Sequence, residues 1–91
     1  MADIVRKRVV VRGVVQGVWF RAATRDAALK RGISGWVRNL PDRSVEAVFE
    51  GASDAVDSMV AWCRTGPERA IVERVEVAEE TPEGLLGFSV R

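Results

Sequence analysis

Valines crowd the stretch from Arg8 to Val14, and the run closes on Gly13 and Gly17, a pattern that predicts a strand entering a turn. From Ala22 to Arg31 there is no glycine or proline, four alanines and a leucine recur, and Lys30-Arg31 occupies the last turn before Gly32. That predicts a helix of about three turns whose small residues pack closely on a sheet. Ser34–Leu40 and Val45–Glu50 read as two short strands, and the turn signal Pro41-Asp42-Arg43-Ser44 between them makes a hairpin. Ser53 is the expected N-cap of a second helix, with Asp54 and Asp57 complementing its dipole. Val56, Met59, Val60 and Cys63 follow at i, i+3, i+4 and i+7 as its buried stripe, and Gly66-Pro67 ends it. Ile71 to Val77 alternates apolar Ile71, Val75 and Val77 with Glu73, Arg74 and Glu76, as a half-buried strand does. Thr81 to Gly87 reads as a loop, and Phe88 to Val90 as a last short strand.

Under right-handed crossovers the order β-α-β-β-α-β predicts an α+β ferredoxin-like sandwich, an antiparallel sheet with two helices packed on one face. The expected unit is one domain over residues 1–91, without repeats or linkers. Hydrophobic residues at 47% and charged residues at 30% belong to an ordinary globular chain rather than a disordered one. A net charge of +1 argues against a nucleic-acid partner, which calls for a basic stripe. The one basic cluster, Arg6-Lys7-Arg8 with Arg12, reads as a solvated strand end. Cys63 is the only cysteine, so no intrachain disulfide can form, and no stretch has the apolar length of a signal peptide or membrane span. A cytoplasmic protein with no membrane partner is the expectation.

The candidate chemistry lies in the loop Gly13-Val14-Val15-Gln16-Gly17-Val18-Trp19-Phe20-Arg21. Backbone N–H groups of a glycine turn converge on an oxyanion, a helix N-terminus adds unpaired donors, and arginine offers a fork matched to phosphate. The same glycine spacing also suits a plain turn, and it matches neither the dinucleotide nor the Walker pattern. Val14, Val15, Val18 and Phe20 read as core or strand residues whose backbone matters most, while Gln16 and Trp19 pack over the loop or fringe a substrate. Asn39 ends a strand in which Trp36 and Arg38 share one face and Val37 and Asn39 the other. It is either a site residue or, more simply, the residue before a turn.

Cys63-Arg64-Thr65-Gly66-Pro67-Glu68-Arg69 has the C-x5-R spacing of cysteine-dependent phosphatases, but Cys63 falls on the apolar stripe of a helix and reads as a buried structural residue. Without histidine there is no His-based triad or His metal site. Arginine, asparagine and backbone amides do positioning and electrostatic stabilisation. They suit a leaving group that needs no proton, such as the carboxylate of an acyl phosphate.

The run Gly13 to Arg21 follows G-x-V-Q-G-V-x-F-R, and Gly35-Trp36-Val37-Arg38-Asn39 follows G-W-V-x-N, with Asn39 eighteen residues beyond Arg21. Together with Val45-Glu46-Ala47, Glu50-Gly51, Trp62-Cys63 and Gly66-Pro67, these motifs resemble the small, common-type acylphosphatase family over nearly the whole chain. The resemblance implies that the amides of Val14, Val15, Gln16, Gly17, Val18, Trp19 and Phe20 cradle the phosphate. Arg21 would bind the phosphoryl oxygens, and Asn39 would orient the attacking water. It further implies a monomer acting on small acyl phosphates, with inorganic phosphate as product and inhibitor and no metal or cofactor. One departure is Asp42-Arg43 where the family often has Asp-Gly, which predicts a different hairpin turn because arginine does not readily take positive φ. Two alternatives stand beside this reading. One is an acylphosphatase-like module acting on carbamoyl phosphate, against which the chain's length speaks. The other is a non-catalytic ferredoxin-like binding domain.

Overall fold

Along residues 3–91, those described by the computed structural model, the elements are β1 (Ile4–Val14), α1 (Phe20–Lys30), β2 (Ser34–Asn39), β3 (Val45–Ala52), α2 (Ser53–Cys63), β4 (Ile71–Glu80) and β5 (Phe88–Val90). Met1 and Ala2, the start of the expected 1–91 unit, lie outside the described residues. The strands form one sheet in the order β4-β1-β3-β2-β5. β1 pairs antiparallel with β3 and β4, and β2 antiparallel with β3. The expected βαββαβ frame is present, and β5 makes the sheet mixed by joining β2 in parallel. The direction follows from the topology: β4 runs the same way as β3, so a chain turning back once after β4 runs parallel to β2.

Both helices cover one face, α1 over β2 and β5 and α2 over β1 and β3. Val9, Val11, Val37, Val45 and Phe49 from the sheet meet Phe20 and Ala28 of α1 and the α2 stripe. That stripe is Val56, Met59, Val60 and Cys63, all buried, as their spacing predicts. Burial pushes the Cys63 thiol up to about 12, which leaves it without nucleophilic character.

Three local expectations are corrected. Ala52, not Ser53, is the N-cap of α2, because β3 runs straight into the helix and the Ser53 N–H is taken by the Asp3 carbonyl at 3.2 Å. In β4 the residues packed on the core are Val72 and Val75, while Ile71 and Val77 are exposed. A bulge accounts for Ile71: Arg12 faces Arg74 but Gly13 faces Val72, so Glu73 is an extra residue and the side-chain alternation changes phase there, while Val77 shares the face of Val75 but is exposed on this edge strand. The basic cluster near the start of β1 is not a solvated strand end. Alternation turns Arg6, Arg8 and Arg12 to the helix-free face, where Glu50 and Glu80 stand opposite Arg6 and other carboxylates are within reach of Arg8 and Arg12. Arg6 holds Glu50 and Glu80 at 2.8 Å each, Arg8 and Arg38 converge on buried Glu46, and Arg12 reaches Asp42 at 2.9 Å.

Burial pushes the carboxyl groups of Glu46 and Glu50 upward. Hydrogen bonds outweigh it, from Arg38 and Arg8 at Glu46 and from Arg6 with the N–H groups of Glu83, Leu85 and Gly84 at Glu50, and both groups sit below their ordinary value. Asp42 is held down at about 2 by the Ser44 hydroxyl and N–H and by Arg12. Groups depressed in the folded state stabilise it above their unfolded values and lose that effect as pH falls through the folded ones. Thermal midpoints should therefore be level near neutrality and decline progressively below about pH 4.5. In a Glu46→Gln variant the decline should be shallower from a lower starting midpoint; calorimetry across pH 2 to 7 checks both.

Candidate active site

Between Val14 and Phe20 the chain leaves β1 and enters α1 through a loop whose backbone is unusual at several points. A Cβ on Gly13 would strike the Ile71 carbonyl oxygen, so the strand end admits only glycine. Gly17 has open space around it but φ of 75°, so its requirement is conformational. Trp19, the N-cap of α1, takes φ 65° and ψ 20° although it is not glycine. Among the described residues, no acceptor takes a hydrogen bond from the main-chain N–H groups of Val15 to Phe20. With the open first turn of α1 they form a set of free donors.

The Gln16 side-chain amide donates to the carbonyl oxygens of Leu40 and Ser44, at 2.9 Å each, and so bolts this loop to the β2–β3 turn. The turn itself differs from expectation, for Arg43 does adopt the left-handed conformation, with φ 75°. Asp42 holds it there by accepting the Ser44 N–H at 3.0 Å and the Ser44 hydroxyl at 2.5 Å, while the Leu40 N–H donates to the Ser44 carbonyl at 2.9 Å. Gln16→Ala removes two hydrogen bonds and should cost about 1–3 kcal/mol of stability, measurable by urea unfolding.

The loop, the start of α1 and the end of β2 enclose a cavity of about 400 Å³ lined by Val15, Gln16, Gly17, Trp19, Phe20, Arg21, Ala22, Asn39 and Val90. Arg21 and Asn39 thus share one cavity, because Asn39 lies at the end of β2 on the face that carries buried Val37. Arg21 extends from the first turn of α1, and its Nη1 donates to the main-chain oxygen of Arg91 at 3.1 Å. Arg91 is itself anchored by its N–H to the Val37 carbonyl at 2.8 Å. Val15 and Phe20 are buried supports beneath the loop. Val14 and Val18 do not line the cavity: Val14 pairs with Ile71 and exposes its side chain, and Val18 packs against the core. Ala22, Val90 and the main-chain oxygen of Arg91 carry no motif signal, since only the placement of β5 brings the last two to the site.

Among the described residues the lining carries one cationic side chain and no carboxylate side chain, which together with the free N–H groups favours an anion. Among the described residues no group of three or more Cys, Asp or Glu side chains is gathered so as to hold a metal ion. Among them also, no helix is long and apolar enough to cross a membrane.

Comparison with known proteins agrees with this geometry. The family model described as "Acylphosphatase" matches residues 7–90. An acylphosphatase of Gloeobacter violaceus is 60% identical over 90 residues, covering 99% of this chain and 97% of the relative. The structure of an acylphosphatase from Coxiella burnetii superposes with a TM-score of 0.94 at 36% identity, over 98% of this chain and 94% of that one. The acylphosphatase of Bacillus subtilis gives 0.93, also at 36% identity, over 96% and 98%. With nearly its whole length and its fold shared in this way, the chain belongs to the acylphosphatase family of hydrolases.

Proposed function

We propose that the protein hydrolyses the carboxyl–phosphate bond of small acyl phosphates, releasing a carboxylate and inorganic phosphate. The observation that carries this reading is the convergence of Arg21, Asn39 and the free loop N–H groups on one cavity that has, among the described residues, no carboxylate side chain. The phosphate lies against the amides of residues 15–20, with the guanidinium of Arg21 on its oxygens. Val14, the last residue of β1, pairs with Ile71 at the entrance to this cradle.

A phosphoryl group in transfer spreads charge over its equatorial oxygens, and fixed donors aimed at them stabilise that charge without reorganising. The side-chain amide of Asn39 holds a water in line with the scissile bond. Its oxygen forms a new P–O bond as the bond to the acyl oxygen breaks, and the electron pair leaves on the carboxylate. The water's proton passes to a phosphoryl oxygen, so no general acid or base is required of the protein.

The alternative of a non-catalytic ferredoxin-like binding domain, taken with RNA as its ligand, needs open aromatic faces on the sheet. Phe49 is fully buried, and Trp36 is flanked by the guanidinium groups of Arg38 at 5.3 Å and Arg91 at 4.5 Å. These contacts favour the enzyme.

Benzoyl phosphate in EDTA tests the reading through its ultraviolet absorbance change. Rapid hydrolysis is expected, with inorganic phosphate as a competitive inhibitor. In water enriched with oxygen-18 the label should appear in the phosphate; label in the benzoate would mean attack at the carbonyl carbon and would sink the mechanism.

A further inference from the structure

We propose that the indole of Trp19 is a specificity determinant, packing against the acyl half of the substrate and favouring flat, apolar acyl groups over acetyl. This rests on the phosphate-site reading above and extends it to the other end of the substrate. With the phosphoryl group on the loop amides and Arg21, the acyl group meets the apolar surface that the rim of the cavity leaves open. Val15 and Phe20 line that cavity but are only 1% and 2% exposed, so their side chains offer almost no surface. Ala22 adds a single methyl group. Trp19 at 78% exposed and Val90 at 43% supply the rest of the open apolar wall.

Trp19 also has no structural task that accounts for its size. Its φ of 65° is a conformation that glycine or asparagine takes with less strain. It makes no side-chain capping bond to α1. The aromatic pairs within the described residues are Phe20 with Trp62 and Phe49 with Phe88, and the cation–π contacts fall on Trp36. The indole therefore has no aromatic or guanidinium partner there. A large aromatic kept at a strained, exposed position beside an anion cradle is a surface for a ligand.

A planar acyl group stacked on an indole should gain about threefold to tenfold in affinity. The test compares kcat/KM for benzoyl and acetyl phosphate in the unsubstituted protein, in Trp19→Asn and in Trp19→Phe, with inorganic phosphate as competitor. Asparagine tolerates the left-handed backbone, so the amide at position 19 stays in place. The benzoyl-to-acetyl ratio should fall about threefold to tenfold in Trp19→Asn and remain within about twofold of the unsubstituted value in Trp19→Phe. A ratio unchanged in Trp19→Asn, while phosphate still competes, overturns the proposal and leaves the phosphate site standing. If phosphate competes with neither substrate in the unsubstituted protein, the phosphate-site reading fails and this proposal with it. Phenylphosphonate and methylphosphonate give an independent measure without any substitution: the phenyl compound should inhibit more tightly, and equal inhibition overturns the proposal.

Discussion

Arg21→Ala is expected to lower kcat/KM for benzoyl phosphate by roughly a thousandfold or more, the scale on which arginines act in phosphoryl transfer. Among the described residues Arg21 is the one charged side chain of the cavity lining, so no other lining side chain replaces it. Its guanidinium is also held in place from behind, by the main-chain oxygen of Arg91 at 3.1 Å, which fixes the direction of the remaining donors. Arg21→Lys should recover little. An ammonium is a point charge without the planar fork, and it cannot grip two phosphoryl oxygens while keeping a bond to that main-chain oxygen. Inhibition by inorganic phosphate should weaken in both variants, since the same contacts hold the ground state. Steady-state kinetics with far-ultraviolet circular dichroism as a control decide it. Near-normal turnover in a folded Arg21→Ala protein would remove Arg21 from the mechanism.

Asn39→Ala separates the second role from the first. Misplacing a nucleophile costs on the order of a hundredfold in rate, and kcat should fall by about that much. Inhibition by inorganic phosphate should change little, because the water is not part of the grip on the anion. Asn39→Asp sharpens the contrast: it keeps an acceptor for the water but adds a negative charge facing an anion, so KM should rise as kcat falls. The backbone has no reason to move in either case, as Asn39 is paired with Val45 through the main chain and its side chain is exposed. Full activity in Asn39→Ala would refute the water-holding role.

What was legible in the chain was whatever local spacing controls. The stripe Val56, Met59, Val60, Cys63 is read from helical period alone, and Gly13, Gly17 and Arg21 stand close enough to form a recognisable loop. The strand alternation also set Asn39 on the same face as Val37. What failed depended on a partner elsewhere in the fold. The phase of β4 is set by a bulge against β1, visible only once Gly13 is seen opposite Val72. The N-cap of α2 moved because the Asp3 carbonyl, fifty residues away, takes the Ser53 N–H. Arg43 was expected to refuse positive φ, but Asp42 and Ser44 hold the turn from both sides. The basic cluster was misread for the same reason: its carboxylate partners lie on β3, β4 and the hairpin turn, out of reach of any local pattern. At the site, the bolt from Gln16 and the hold on Arg21 were invisible because their acceptors carry no side-chain signature.

Those two restraints end on main-chain oxygens, at Leu40 and Ser44 for the loop and at Arg91 for the cation. Every residue type brings the same main-chain oxygen, so neither contact asks for leucine at position 40 or arginine at position 91. Both ask for the correct count of residues between anchor points. Insertions or deletions in the β2–β3 turn, or between the start of β5, which is fixed by its pairing with β2, and Arg91, would displace the acceptors at once. Relatives of this chain are therefore free to drift in identity at these positions while remaining intolerant of changes in length, and the constraint would show in an alignment as an absence of gaps beside variable letters.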